Sequence, residues 1–306
     1  MNKKTIAYME LFFVVIVWAT APMLTLKLYE HYSPTLRLLL TQPLLIAVYL
    51  LMSRGHYGEF NSSYINVGLA TGFFYAAADI CQKVGLPYTT PAKYAFLENL
   101  LCITVPLVTY FLTKKRPTVF EIIAAFICLS GAFVLNGVSA KGFAWGIGDI
   151  LCAVAGLLYG FSLAGIGAYA KKMYTPLFLA VQSFAELVVT AVAVPILNKI
   201  YVVNSFGNSV PLEEIKYSFE PRHLLFLAAV SLVCSALCLT LRTNSLKHIK
   251  ASTVAVIMPF SAVITSIISI ISGNDKISAN LIWGGILCMA AVITAELKPS
   301  FKNKNN

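Results

Sequence analysis

The sequence predicts an all-α integral membrane protein of ten transmembrane helices, arranged as two inverted five-helix repeats. Three observations carry that expectation. Apolar residues make up 58% of the chain and charged residues 12%, about half the roughly 25% charged content of a soluble domain, and the mean hydropathy is +0.77. The apolar residues fall in blocks of about 20, the length of helix that crosses a bilayer core. An offset of 160 residues lays the breaks of the first half of the chain on those of the second.

Taken in order, the blocks run over 6–28, 34–53, 64–84, 92–112, 118–137, 146–168, 176–197, 222–242, 251–272 and 278–297. The first is too long for a signal-peptide core and lacks a small-residue cleavage site, so it reads as a retained span. Breaker chemistry separates the others: Ser33-Pro34 opens the second, Lys114-Lys115-Arg116-Pro117 follows the fourth, Lys171-Lys172 follows the sixth, and Gly273-Asn274-Asp275-Lys276 precedes the tenth. The longest connection, Asn198 to Pro221, reads as a solvated loop, with a small surface helix as the alternative.

The net charge of +10 comes from 23 Lys and Arg scattered through short connections rather than gathered on one face, which excludes a nucleic-acid binder and points to the positive-inside rule. With the N-terminus inside, 14 of the 23 fall inside, including Lys3, Lys4, Arg54, Lys114, Lys172, Arg242, Lys247 and Lys250. Both termini are therefore expected in the cytoplasm of a cell-membrane protein. The seven cysteines lie within apolar blocks without metal-ligand spacing, and the four histidines lie at segment ends; they imply no metal site and no cofactor. No hydrolase, zinc-protease or phosphate-loop motif is present, so no enzyme is expected. Asn61-Ser62-Ser63 has the form of a glycosylation sequon but falls in an inside loop.

At the 160-residue offset Gly85-Leu86 meets Ser245-Leu246, Ala95 meets Ala255, and the fifth span meets the tenth without a gap. Five spans per half is an odd number, so the second half, 141–306, enters from the face opposite to the first, 1–140. Inverted repeats of this kind place a substrate site between the halves near mid-membrane.

Ionisable residues inside such spans mark pairs or wet cavities. Tyr75, Asp79 and Lys83 share one helical face at i, i+4 and i+8. Asp79 is open to two readings: a self-neutralised Asp79–Lys83 strut, or a carboxylate facing a cavity one turn from a tyrosine ring. Glu98 repeats the motif with Tyr94 four residues before it, and Lys93 lies near enough to the surface to snorkel away. Two acids with two tyrosines suit a cation, through charge and cation–π attraction. At the 160-residue offset Asp79, Tyr94 and Glu98 meet Leu239, Val254 and Met258, so the second half builds the same pair of spans without them. Glu186, with Gln182 one turn before it, reads equally as cavity lining or as a helix–helix hydrogen bond. Tyr159 is likewise open between cavity and packing. Glu10 reads as interfacial, Asp149 as a helix cap, and Arg37 as a structural partner.

Trp18-Ala19-Thr20, Ser33-Pro34 with Arg37, the links Gly85–Ala92 and Ser245–Ser252, and Pro259 resemble, in that order, the motifs of the EamA-type transporters of the drug/metabolite transporter superfamily. Asn99 departs from the family by standing where a proline is usual, as do Lys114-Lys115-Arg116 and Gly273-Asn274-Asp275-Lys276, where Gly-Glu-Arg is usual. The resemblance implies a secondary active transporter that moves a small polar metabolite by alternating access. The two acid–tyrosine pairs point to a cationic or zwitterionic one, such as an amine or amino acid. Its site would draw on Asp79, Glu98, Tyr75, Tyr94, Asn99, Trp18, Tyr159 and Glu186, and its partners would be the substrate, the bilayer, and a proton or exchanged solute. The alternative is a non-transporting membrane sensor or scaffold, which tightly self-neutralised acids would favour.

Overall fold

A computed structural model describes residues 2–89, 94, 97–135, 146–203, 209–211, 215–271 and 279–296. Its helices are α1 (Lys3–Tyr29), α2 (Pro34–Met52), α3 (Ser62–Gly85), α4 (Leu101–Thr113), α5 (Val119–Leu135), α6 (Ile147–Tyr169) and α7 (Thr175–Leu197). They continue as α8 (Pro221–Ser245), α9 (Ala251–Ile257), α10 (Phe260–Ile271) and α11 (Ala279–Glu296). Five stretches, within α1, α2, α7 and α8 and over Ile147–Lys172, are long and apolar enough to cross a membrane, and α4, α5 and α11 are shorter apolar helices. The 24-residue α3 falls outside that set, diluted by the polar residues that make it interesting.

Local chemistry sets the ends. The Asn2 and Asn61 side chains accept the amides of Lys4 and Ser63 at the starts of α1 and α3; proline occupies the first turn of α2, α7 and α8, where its missing N–H costs nothing. Asp149 caps α6 as expected, accepting the Gly146 amide at 3.0 Å and the Thr89 hydroxyl. It thereby ties the α3–α4 link to α6. Thr118 and Glu121 cap the start of α5 reciprocally.

The bundle is inside-out relative to a soluble protein. Phe126, Leu225, Trp283 and Ile293 are each at least 60% exposed, whereas Gln42, Gln182 and Glu186 are at most 3% exposed. Aromatic and aliphatic side chains coat the exterior and the polar groups point in, the arrangement a hydrocarbon solvent selects. The α3 helix packs along both α6 and α7, α2 along α7, α5 along α11, and α1 against α8 and α10. Glycines permit the closest approaches: a Cβ at Gly72 would stand 2.8 Å from the Gln182 carbonyl oxygen, and one at Gly148 would run into Gly85 and Tyr88 backbone. The α1 and α8 helices run antiparallel, since Ser245 Oγ donates to the Ala7 carbonyl at 2.9 Å while Leu28 packs with Leu227 at the far end. At the end where α1 begins, Tyr174 Oη reaches the Met52 carbonyl and Lys247 Nζ the Met173 carbonyl. Half-burial there pushes the Lys247 ammonium below its usual pKa.

Four expectations are corrected. The 198–221 connection carries a two-stranded antiparallel ribbon, Tyr201–Val203 paired with Ser209–Pro211, rather than a plain loop or a helix; Tyr, Val and Val favour the extended backbone. The ninth span is not one helix: Met258 and Pro259 form a turn between α9 and α10, because proline removes a ladder hydrogen bond and clashes with the preceding turn. The fourth is broken likewise, at Asn99-Leu100 before α4. The eighth extends three residues beyond its expected end at 242, to Ser245, and winds as a π-helix over Ser231–Leu237.

Candidate functional site

The polar interior centres on α3. Its last two turns present Asp79 and Gln82, 7% and 4% exposed, with Lys83 beside them. Lys83 Nζ stands 3.5 Å from Asp79 Oδ1 and 3.5 Å from Gln82 Oε1. The α6 helix brings Tyr159, whose hydroxyl lies 2.7 Å from Asp79 Oδ1 and 2.8 Å from Gln82 Oε1. One phenolic proton serves one of these at a time, so the hydroxyl toggles between an acid and an amide. Tyr75, one turn below Asp79, meets the Tyr159 ring edge-on at 5.4 Å. The expected face of Tyr75, Asp79 and Lys83 is thus formed, and the ion pair within it is made; Tyr159 faces the acid rather than filler.

The broken fourth span contributes next. Glu98 lies close to Gln82, in the fields of Lys83 and Asp79. Tyr94 lies in the fields of Glu98 and Asp79, and Asn99 is buried in the turn itself. Gly156 of α6 lets the backbone of Leu97 and Glu98 approach, which holds the turn against the α3–α6 pair. From α7, Glu186 lies near Gln42 of α2, in the fields of Asp79, Lys83 and Arg37. One turn earlier Gln182 has both amide atoms buried without a hydrogen-bonding partner among the described residues. Arg37 donates to Thr25 Oγ1 at 3.4 Å, and its Nε is buried without a hydrogen-bond partner among the described residues. Glu10 is half-buried and accepts from Ser245 Oγ at 3.3 Å, a tie between α1 and α8 at some remove from Asp79.

Trp18 is joined to this group through a residue the sequence reading placed in an inside connection. Arg242 is 7% exposed and its guanidinium lies 5.5 Å from both the Trp18 and Tyr75 ring centroids. The side chain of a helical residue leans toward the helix N-terminus, so Arg242, near the end of α8, points back into the bundle. The missed signal was the length of α8: carried to Ser245, the same apolar block brings Arg242 inside. Trp18 is fixed by its indole N–H, which donates to the Cys234 carbonyl at 2.8 Å in the π-wound stretch. Among the described residues no group of His, Cys, Asp and Glu could hold a metal ion. Cys102 and Cys128, 3.6 Å apart, are free thiols packed in the core.

An apolar exterior wrapped around buried acids, amides and cations defines a multi-pass membrane protein with a polar interior. Comparison with known proteins sharpens this. The EamA-like transporter family model matches residues 5–137 and again 146–295, and the chain belongs to that family. An uncharacterized transporter of Archaeoglobus fulgidus is 22% identical over 217 residues, 71% of this chain and 64% of that protein; the match therefore spans somewhat under two thirds of the relative. A protein of known crystal structure superposes with a TM-score of 0.71 at 17% identity, over 95% of this chain and 96% of its own, a likeness of fold alone.

Proposed function

We propose that the chain is a secondary active transporter in which two inverted five-helix repeats, 1–140 and 141–306, alternately expose a central site to the two sides of the cell membrane, both termini being cytoplasmic. The cargo is a small cationic or zwitterionic metabolite, bound by Asp79, Glu98 and Glu186 among the rings of Tyr75, Tyr94, Tyr159 and Trp18, with Asn99 shaping the turn beside Glu98.

The observation that carries the site is the convergence of three acids, the buried Asp79 and Glu186 of α3 and α7 and the half-buried Glu98 of the broken fourth span. A scaffold needs an ion pair at most; it does not need three acids. The repeat is supported by element ends. Shifted by 160 residues, α3, α4 and α5 fall within two residues of α8, α10 and α11 at each end, and the turn at Asn99-Leu100 falls within one of that at Met258-Pro259. Packing supports it too. With each helix of the first half exchanged for its counterpart, the α3–α6 contact becomes α8–α1, α3–α7 becomes α8–α2, and α2–α7 and α5–α11 map onto themselves, all of which are made. Discontinuous helices at mid-membrane are how inverted-repeat transporters build their sites.

The test is counterflow in proteoliposomes with radiolabelled amines and amino acids. Asp79→Asn and Glu98→Gln are each expected to abolish uptake while gel filtration still shows folded protein. Normal uptake by both variants would return the acids to a structural role. Labelling from outside of a cysteine placed in the Lys114–Arg116 connection would overturn the orientation.

A further inference from the structure

We infer that Arg242 is the anion-binding end of the site, holding the carboxylate of a zwitterionic substrate whose amine is held by the acids around Asp79; this rests on the transport reading above. Arg242 is more than nine-tenths buried, and among the described residues its Nε and Nη2 have no hydrogen-bond partner. Among the described residues no carboxylate stands within ion-pair distance of it. What it has instead are two aromatic faces, Trp18 and Tyr75, each 5.5 Å from Cζ. These satisfy the flat side of the cation and leave its edge, where the N–H donors lie, without a partner. A guanidinium edge presents parallel donors matched to the two oxygens of a carboxylate, and a buried cation persists where a partner arrives to pair with it.

Placement supports the pairing of poles. Tyr75, under Arg242, and Asp79 are four residues apart on α3, a rise of about 6 Å. A molecule with an amine and a carboxylate a few bonds apart bridges that interval with its hydrogen bonds. On the proposed 160-residue register, Arg242 is also the counterpart of Gln82. Tyr159 of α6 bonds Gln82 and Trp18 of α1 covers Arg242, so each of the two counterpart residues meets an aromatic side chain from the other half. The first half holds an amide there and the second a cation.

The experiment measures thermal stabilisation and counterflow of the purified full-length protein with leucine, glutamine, phenylalanine and lysine, each beside its carboxamide and its decarboxylated amine. The comparison uses wild type, Arg242→Gln and Arg242→Lys. The expected result is that at least one free amino acid stabilises wild type at least tenfold more tightly than its amide and amine. Arg242→Gln should erase that preference without loss of folded protein, and Arg242→Lys should restore part of it. Equal binding of amine and amino acid by wild type overturns the assignment, as does an unchanged preference in Arg242→Gln or no stabilisation by any of the amino acids. If amines bind in an Asp79-dependent way while Arg242→Gln changes nothing, the inference fails and the transport reading stands. If Asp79→Asn leaves all binding unchanged, that reading fails as well.

Discussion

Replacing Asp79 by Asn separates the charge of this residue from its shape. The Tyr159 hydroxyl, 2.7 Å from Oδ1, can still donate to the Asn carbonyl, so the exchange removes the Lys83 partner and little else. Lys83 Nζ, 3.5 Å away with its side chain 15% exposed, then loses its nearest counter-ion and keeps only the fields of Glu98 and Glu186. Breaking a buried pair from one side costs about 3–5 kcal/mol; with those two acids still near, the lower figure applies, roughly 6–12 °C in Tm for a protein near this size. Lys83→Met in the same chain removes the stranded cation and recovers most of the loss. The assay is dye-monitored melting of the four proteins of the cycle in one detergent, read beside their counterflow activity. A site acid predicts recovery of stability without recovery of transport. Additive melting losses would refute the pairing, and recovery of transport in the double variant would show that Asp79 serves only to neutralise Lys83.

Tyr159→Phe removes the donor shared by Asp79 and Gln82; leaving those buried acceptors short is expected to cost about 1–3 kcal/mol, and transport unchanged from wild type would show that the hydroxyl is not part of the site. Gly156→Ala puts a methyl 3.0 Å from the Glu98 carbonyl oxygen and closer still to that of Leu97, so loss of uptake with about 1–3 kcal/mol of strain is expected; full activity would mean that the turn has slack. Lys114 ends α4 with φ of 58°, a left-handed conformation that suits glycine, and Lys114→Gly should stabilise the protein by up to about 1–2 kcal/mol, a gain checked by melting and refuted by a lower Tm.

Membrane character, family and the inward face of α3 were legible because each follows from one-dimensional pattern: block length, motif order, and a spacing of four residues. The Asp79–Lys83 pair came from the same rule. Tyr159 and Arg242 were not settled that way, since which groove a side chain enters depends on the rotation of α6 and α8 against α3. The rotation of α6 is fixed by close approaches such as Gly85 on Leu151 and Gly165 on Thr71, not by hydropathy. The break before α4 was hidden for another reason. Asn99 carries no steric veto against helix, unlike Pro259, and its turn is imposed by packing against α6 at Gly156. The ribbon in the 198–221 connection was missed because its strands are three residues each, too short for alternation to register.

A scaffold of two equivalent halves presents matching groups to its centre, and a symmetric centre suits a symmetric ligand. A zwitterion has unlike ends, so a protein built this way must break the equivalence at the positions that touch it. On the 160-residue register the differences are chemically coherent: Asp79 against Leu239, Tyr94 against Val254, Glu98 against Met258, and Gln82 against Arg242. The acids of these pairs belong to the first half and the buried guanidinium to the second. Around these positions the ends of α3, α4 and α5 fall close to those of α8, α10 and α11 on the same register. Lys83 in the first half and Glu186 in the second stand as counter-charges on each side. On the reading proposed above, Asp79 and Glu98 would take the amine from the first half and Arg242 the carboxylate from the second, so that unlike ends of one molecule meet unlike groups of a repeated scaffold.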